Sequence, residues 1–239
     1  MTERVDVIRL RVAEVKAAMA AATAKVGRPA DSTRLLVVTK LHSVETIQVA
    51  IEAGLSTFGE NYAEEAASKM AQFKDQPSIH WEMIGHIQSR KANLIVHGFD
   101  LIHSVDSLKL ASKIDRLLEA TKCVQNILIE VNIAAEVNKD GYRVDSQTAK
   151  DLFYMDLEAI ARLEYLSVIG LMGMPPLQDR PEVNRGHFAV LRELLEEVNK
   201  RFGLKMSELS MGTSFDFQVA IEEGATVIRI GEAILGKRN

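Results

Sequence analysis

The sequence has very little that could cross-link or divide a fold. Its 239 residues contain one cysteine, Cys123, and only five prolines. A single cysteine excludes an internal disulfide and suits a reducing cytoplasm, so we expect Cys123 to be a small core residue near a buried strand. No Pro-, Gly- or Ser-rich stretch interrupts the chain, and two full domains would be cramped at this length, so residues 1–239 are predicted to form a single domain.

Long hydrophobic runs and an excess of positive charge are also missing. The longest apolar runs, such as Ile127–Val131, are far shorter than the roughly 20 residues that cross a bilayer. Charges recur at helical spacing along the N-terminal segment, unlike a secretory signal. The formal net charge is −4, so we expect no nucleic-acid or membrane partner. These features are typical of a globular, enzyme-like protein.

Short β-branched runs alternate with helical patterns along most of the chain. An amphipathic helix is predicted over Thr2–Lys25, with an apolar set made of Val5, Ile8, Leu10, Val12, Val15 and Met19. From Arg34 onward, eight strand-like runs each precede a helical segment, at residues 35–39, 56–60, 79–85, 100–105, 124–132, 165–174, 207–212 and 226–230. This alternation predicts an α/β fold, a closed parallel (β/α)8 TIM barrel with an extra N-terminal helix, in preference to an open doubly wound sheet.

Lys40 ends the first predicted strand, in the stretch RLLVVTKLHS. Active sites of (β/α)8 barrels lie at the carboxyl ends of the strands, which is where Lys40 should be. Such a lysine is either a solvated charge that ends the strand or an amine in a partly desolvated barrel mouth. In the second case a lowered pKa would make Lys40 a nucleophile for carbonyl groups. Lys40 alone leaves both interpretations open.

The last two predicted strands end in turns that suit a phosphate group. Gly212, Thr213 and Ser214 follow the seventh strand and are predicted to open a helix, while Gly231 and Glu232 follow the eighth strand and open another. Backbone N–H groups at such positions bind phosphate in this barrel class. The alternative is that the glycines only supply turns and that Ser214 only caps a helix.

Arg229 and Asn61 are two further polar residues at predicted strand ends. Arg229 lies between Ile228 and Ile230, so its side chain should point the opposite way, toward the barrel interior or mouth. A guanidinium there needs a partner, either a structural carboxylate or an acceptor on a ligand. Asn61 follows the second strand, where an asparagine is typical of a helix cap or a turn.

The histidines do not indicate a metal site. None of them shows metal-ligand spacing, and each is expected to be structural or solvent-facing. The six residues are His42, His80, His86, His97, His103 and His187.

Several motifs, in this order along the chain, resemble those of one known family. They are VVTK at Val37–Lys40, FGENY at Phe58–Tyr62, IGHIQSRK at Ile84–Lys91, NKDGY at Asn138–Tyr142, GLMGMP at Gly170–Pro175, and LSMGTS with IRIGEAILG near the end. The chain resembles the YggS/PROSC family of pyridoxal-phosphate-binding homeostasis proteins, whose barrel belongs to the fold type III or alanine racemase class. The similarity extends from the N-terminal helix to Gly236.

The resemblance implies pyridoxal 5'-phosphate (PLP) as the cofactor, held by Lys40 as an internal aldimine. It also implies that Ser214 and the neighbouring Thr213, next to Gly212, bind the phosphate. The backbone of Gly231 and Glu232 would complete the phosphate-binding site.

Two further roles are implied by the same resemblance. Arg229 would face the pyridine nitrogen, and Asn61 would reach the cofactor. Because an arginine keeps its protons, Arg229 could donate a hydrogen bond to the ring but could not protonate it. An unprotonated ring is a poorer electron sink for a carbanion.

The chain departs from the family pattern at a few positions. Glu82 and Met83 stand where the family usually has His-Phe, Arg90 stands where it has Asn, and Thr213 replaces a usual methionine. Because of Glu82 and Met83, the family pattern does not predict the surroundings at the end of the third strand.

The choice between an enzyme and a carrier depends on a second acid/base group. Racemases of this class need a proton donor on each face of the cofactor. This chain offers a lysine for one face and no evident tyrosine for the other, the candidates being Tyr62, Tyr142, Tyr154 and Tyr165. We therefore expect a monomeric, cytoplasmic protein that holds PLP and hands it to apo-enzymes with little or no turnover. A small racemase-like enzyme and a barrel aldolase acting through Lys40 on a phosphorylated sugar are the alternatives.

Overall fold

A parallel β-barrel organises the protein. The computed structural model describes residues 2–96, 98–136 and 139–237. Within them, the strands are β1 (Arg34–Val38), β2 (Thr57–Glu60), β3 (His80–Met83), β4 (Leu101–Val105), β5 (Gln125–Asn132), β6 (Tyr142–Arg143), β7 (Leu166–Gly173), β8 (Glu208–Thr213) and β9 (Val227–Ile230). The sheet order is β4-β3-β2-β1-β9-β8-β7-β5-β6, and an additional pairing of β4 with β5 closes the ring. The predicted (β/α)8 barrel is confirmed.

Helices connect the strands and cover the barrel. They are α1 (Thr2–Lys25), α2 (Val44–Glu52), α3 (Ala63–Gln72), α4 (Leu108–Leu118), α5 (Gln147–Ile160), α6 (Arg185–Phe202), α7 (Phe217–Glu222) and α8 (Glu232–Leu235). Serine side chains accept hydrogen bonds from backbone N–H groups at the starts of α2, α4 and α5, which fixes where those helices begin. Two 3₁₀ helices, Ser89–Leu94 and Pro181–Asn184, complete the set.

The N-terminal helix packs against the outer helices of the barrel. Its buried apolar residues recur every three or four positions, at Val5, Ile8, Val12, Val15, Met19 and Ala22. The sequence analysis placed Leu10 in the apolar set, but Leu10 does not fit this spacing and is 63% exposed. Helix α1 contacts α2, α7 and α8, and Arg11 donates a hydrogen bond to the Ile234 carbonyl oxygen over 3.2 Å. It therefore lies beside the place where β1 pairs with β9.

The core continues through both faces of the sheet. Phe58, Phe153 and Phe188 are fully buried, and every residue of β4 is buried. Burial on both faces is the rule for a parallel sheet that helices cover. No helix in the described part of the chain is long and apolar enough to cross a membrane.

Two details differ from the sequence-based expectations. Cys123 is exposed, so its prediction as a core residue is wrong. The turn at Lys122, whose φ is +54°, places Cys123 before β5, which begins only at Gln125. The short strand β6 was not predicted, since a two-residue segment carries no periodicity.

Candidate functional site

A cavity of about 440 Å³ opens at the carboxyl ends of the barrel strands. This volume lies within the range of small-molecule sites. Of the predicted site residues, the structure places the following in the cavity wall: Lys40, Asn61, Thr213, Ser214, Arg229, Gly231 and Glu232. The first and last strands of the barrel therefore contribute to one cavity.

Lys40 lies just beyond β1 and is half-buried in the cavity wall. The residue before it is firmly held, because Thr39 donates from its backbone N–H to the Gly59 carbonyl over 3.0 Å and from its hydroxyl to Glu60 Oε1 over 2.6 Å. A fixed strand end gives the Lys40 side chain a defined starting point at the cavity.

A second lysine also lines the cavity. Lys139 pairs with Glu136 and donates to the Pro175 carbonyl oxygen over 3.3 Å. The sequence analysis named Lys139 only as part of the NKDGY motif. Asn138 of that motif lies outside the described residues. Any experiment on the cavity amine has to separate Lys40 from Lys139.

The turn after β8 differs from the predicted geometry. Gly212 and Thr213 are the last residues of β8, and α7 begins only at Phe217, so the prediction that Gly212 to Ser214 open the helix is wrong in position. Gly212 has φ +92°, and a Cβ there would lie 2.6 Å from the Ala220 Cβ. Gly212 thus permits close packing of α7 on the strand and is not part of the cavity wall.

Thr213 and Ser214 differ in the donors that they can offer. Asp216 Oδ1 accepts from the Thr213 backbone N–H over 2.8 Å and from its hydroxyl over 3.0 Å, while Asn184 holds the other oxygen of Asp216 over 2.8 Å. In the described part of the chain, the Ser214 hydroxyl and N–H have no hydrogen-bond partner. Ser214 is therefore the residue of this turn with donors available to a ligand.

Gly231 and Glu232 form the second turn of the cavity wall. Gly231 precedes α8, as predicted, and its carbonyl oxygen accepts from the Ile234 N–H over 3.0 Å. The N–H of Glu232 belongs to the first turn of a helix, where no intrahelical acceptor exists. Because α8 has only four residues, its dipole is small, and any attraction for an anion comes from individual N–H groups.

Arg229 points into the barrel, as predicted. It is buried, donates from Nη1 to Ser210 Oγ over 2.7 Å and from Nη2 to the Gly173 carbonyl over 3.2 Å. No carboxylate among the described residues forms an ion pair with it. Burial lowers the pKa of Arg229 to about 10, and the charges of Asp216 and Glu130 oppose this shift. Arg229 remains cationic at neutral pH.

Two buried oxygen atoms of the cavity residues, Asn61 Oδ1 and Glu130 Oε2, lack a hydrogen-bond partner in the described structure. Asn61 does not cap α3, because the cap position is Tyr62. Burial, with repulsion from Asp106 and Asp140, raises the pKa of Glu130 to about 7. A ligand with its own donors would satisfy these atoms.

Glu130 is a cavity residue that the sequence analysis did not identify. The available signal was a carboxylate inside the apolar run ILIEV. The alternation that places Arg229 toward the barrel interior applies equally to Glu130, which lies between Ile129 and Val131.

His86 belongs to a cluster of side chains that its position in the sequence did not reveal. His86 Nδ1 lies 3.2 Å from Asp106 Oδ2 and 3.1 Å from Asp140 Oδ2, so these three residues are spaced closely enough to hold a metal ion. Sequence spacing could not indicate this, because the three come from separate loops. Exposed acidic clusters of this kind are common without a metal, and we assign none. His103 is fully buried, and His97 lies outside the described residues.

Comparisons with known proteins identify the class of this barrel. The family model described as alanine racemase, N-terminal domain, matches residues 13–239, which defines the class of barrel. A pyridoxal phosphate homeostasis protein of Aquifex aeolicus is 37% identical over 228 residues, covering 95% of this chain and 97% of that protein. The protein of the same name from Pseudomonas aeruginosa is 37% identical over 228 residues, covering 95% and 94%.

A solved structure of similar sequence has the same fold. PipY of Synechococcus elongatus, with PLP bound, has a TM-score of 0.83 and 31% identity to this chain, covering 96% of this chain and 100% of PipY. The chain belongs to the family of pyridoxal phosphate homeostasis proteins.

Proposed function

We propose that this protein binds PLP and serves in PLP homeostasis in the cytoplasm, holding the cofactor and releasing it to apo-enzymes with little or no turnover. One observation carries the proposal. Lys40, from the first strand of the barrel, and Ser214, Gly231 and Glu232, from the turns after the last two strands, border the same cavity. An amine and an anion-binding turn facing one small cavity suit a ligand that has both an aldehyde and a phosphate.

The residues of the cavity fit PLP chemically. Bound PLP supplies an aldehyde that condenses with an amine, and Lys40 is the amine that would hold it. Ser214 would donate to the phosphate and Arg229 would donate to the ring nitrogen. Asn61 Oδ1, which has no partner among the described residues, would accept from a polar group of the ring. The cavity volume of about 440 Å³ suits a ligand of this size.

The tyrosines support limited turnover. All four lie in the described residues, and none lines the cavity. Tyr142 donates its hydroxyl to Asp156 over 2.9 Å, Tyr154 donates to Glu197, and Tyr62 is 49% exposed. Arg229 keeps its protons at neutral pH and cannot transfer one to the ring. A cofactor in this cavity would therefore lack both a tyrosine acid and a protonated ring.

Borohydride trapping tests the cofactor and its anchor together. Purified protein is mixed with PLP, its absorbance spectrum is recorded, and the adduct is reduced and located by peptide mass spectrometry. We expect the label on Lys40 in the parent and in Lys139→Ala, the matched control that removes the other cavity lysine. Lys40→Ala should fold and carry no label. A label that persists in Lys40→Ala, or that sits on Lys139 in the parent, would contradict the proposal.

Transfer and exchange assays separate a carrier from an enzyme. PLP-loaded protein should restore activity to an apo-aminotransferase, and amino acids incubated with it in heavy water should keep their α-protons. Exchange at enzyme-like rates would instead favour the racemase-like alternative. Size-exclusion chromatography with light scattering tests the expected monomer.

A further inference from the structure

A line of hydrogen bonds crosses the barrel interior from the amino-terminal end of β1 to the cavity. Arg34 Nη1 donates to Glu82 Oε1 over 2.7 Å, and Glu82 Oε2 lies 2.7 Å from His103 Nε2. His103 Nδ1 lies 2.8 Å from Ser210 Oγ, which also accepts from Arg229 Nη1 over 2.7 Å. We call these five residues, one each from β1, β3, β4, β8 and β9, the barrel-core chain.

The barrel-core chain is shielded from water along almost its whole length. His103 and Ser210 are 0% exposed, and Glu82 and Arg229 are 5% and 6% exposed. Only Arg34, with 39% of its side chain exposed, reaches solvent. Polar groups buried this deeply need protein partners, so the direction of each hydrogen bond is constrained by its neighbours.

One arrangement of protons satisfies every member of the chain. Arg229 can only donate hydrogen bonds, so Ser210 Oγ accepts one from it. The Ser210 hydroxyl must then donate its own hydrogen bond to His103 Nδ1. His103 then carries its proton on Nε2 and donates to Glu82 as a neutral imidazole. A doubly protonated His103 would put a second donor on Ser210 and leave the hydroxyl proton without an acceptor among the described residues.

The charges of the chain agree with this arrangement. Burial lowers the pKa of His103, and the cations Arg229 and Arg34 lower it further, against the attraction of Glu82. Burial opposes ionisation of Glu82, but the hydrogen bond from His103 and the charge of Arg34 hold its pKa below the ordinary value. At neutral pH the chain contains an ionised Glu82 and a neutral His103.

We propose that Glu82 and His103 are positioning residues that act through Ser210 to fix the guanidinium of Arg229 toward the ring nitrogen of the bound cofactor. The inference rests on the proposed function, because it takes PLP as the ligand. Two anchor points, Ser210 Oγ and the Gly173 carbonyl, hold the guanidinium plane and direct its remaining N–H groups.

Nuclear magnetic resonance of the ligand-free protein tests the chain without reference to PLP. In protein labelled with ¹⁵N-histidine, the His103 shifts at pH 7 should report a neutral ring protonated on Nε2. Glu82→Gln leaves Ser210 as the donor to Nδ1 and should keep this tautomer, whereas the double variant Glu82→Gln/Ser210→Ala, which removes the fixed partner of each ring nitrogen, should lose it. An imidazolium, or a ring protonated on Nδ1, in the parent protein would overturn the proposal.

Ligand binding tests what the chain does for the cavity. The affinity of the parent, Glu82→Gln and Ser210→Ala is measured for PLP and for its 1-deaza analogue, in which a C–H group replaces the ring nitrogen. Ser210→Ala removes the hydrogen bond that orients Arg229 and should weaken PLP binding about tenfold, and Glu82→Gln, which removes only the charge behind His103, should weaken it less. Binding of the analogue, which has no acceptor for Arg229, should change by less than about threefold.

Controls separate positioning from general damage. Ser210→Thr retains the hydroxyl and should retain the preference for PLP over the analogue, and Glu197→Gln, a carboxylate outside the barrel core, should bind both ligands as the parent does. Equal losses of affinity for the two ligands would overturn the proposal. If Glu82→Gln does not fold, the comparison of Ser210→Ala with Ser210→Thr still decides it. A parent protein that binds neither ligand would contradict the proposed function, while the His103 tautomer would still decide whether the chain exists.

Discussion

Lys69 Nζ lies 2.7 Å from the carbonyl oxygen of Thr39, which joins helix α3 to the strand end that carries Lys40. The same amine lies 2.7 Å from Glu60 Oε1 and 2.6 Å from Glu65 Oε1, and Lys69 is only 5% exposed. Two lysines therefore lie near one strand end with different surroundings. Lys69 is enclosed by oxygen atoms of the protein, whereas Lys40 lines the cavity.

Replacing Lys69 should destabilise the fold. Lys69→Met leaves Glu60 buried without its cation, and we expect the free energy of unfolding to fall by roughly 3–5 kcal/mol, measured by urea denaturation. The penalty should be smaller at pH 5 than at pH 8, since burial raises the pKa of Glu60 and protonation removes the unpaired charge. The double variant Lys69→Met/Glu60→Gln should recover part of the loss. A loss below about 1 kcal/mol would contradict this account.

Glu130 should make stability depend on pH. Its pKa is raised to about 7 in the folded protein, so between the ordinary carboxyl value and about 7 the folded state binds more protons than the unfolded state. Its contribution is therefore present below that window and is lost as pH rises through about 7, by at most about 3 kcal/mol. Urea denaturation at pH 5 and pH 8 should show a larger decrease for the parent than for Glu130→Gln. Equal decreases would refute the assignment.

Gly85 should tolerate no side chain. A Cβ at this position would lie 2.2 Å from the Asn61 carbonyl oxygen and 2.6 Å from its Cα, and backbone cannot give way as a flexible side chain can. We expect Gly85→Ala to cost about 1–3 kcal/mol or more and to weaken PLP binding by displacing Asn61. Gly186→Ala is the matched control, because nothing lies within 4 Å of its Cβ position in α6, and it should be neutral or stabilising by up to about 1 kcal/mol. Similar thermal unfolding of the two variants would show that the Asn61 contact is not tight.

Ser214 should contribute more to phosphate binding than Thr213. The donors of Thr213 are held by Asp216, whereas those of Ser214 have no partner among the described residues. Ser214→Ala should weaken PLP binding about tenfold but leave the affinity for pyridoxal, which has no phosphate, nearly unchanged. Thr213→Ser keeps the hydroxyl and should bind both as the parent does. If Ser214→Ala weakened the two ligands alike, the phosphate would lie elsewhere.

The sequence predicts the barrel well because strand and helix patterns are local. Each predicted run, such as 226–230, overlaps a strand of the structure, here Val227–Ile230. The start of α7 was missed because Asp216 accepts from Thr213 and delays the helix to Phe217, a choice that the sequence pattern does not reveal. Errors at element ends of this kind follow from side-chain contacts that periodicity cannot report.

The polar contacts inside the barrel could not be predicted. His103 and Ser210 are 107 positions apart, and Glu82 and His103 are 21 apart. Their meeting depends on strand register and barrel closure, which one sequence does not specify. Lys40 and Ser214 were identified because both follow strands. Glu130 lies inside a strand, as Arg229 does, and was missed because only strand ends and the last strand were searched for polar residues.

The N-terminal helix and the residues just after it contact the C-terminal segment of the barrel. Arg28, just after α1, donates to the carbonyl oxygens of Ile221 and Ala225 over 2.6 Å and 2.9 Å, and Lys25 pairs with Glu222. The ribosome makes α1 before these partners, so its contacts with α7 and α8 form only after those helices have been made, whereas its contact with α2 can form earlier. The same late segment carries the Gly231 turn. The cavity wall that Gly231 completes can therefore form only after this late segment has been made.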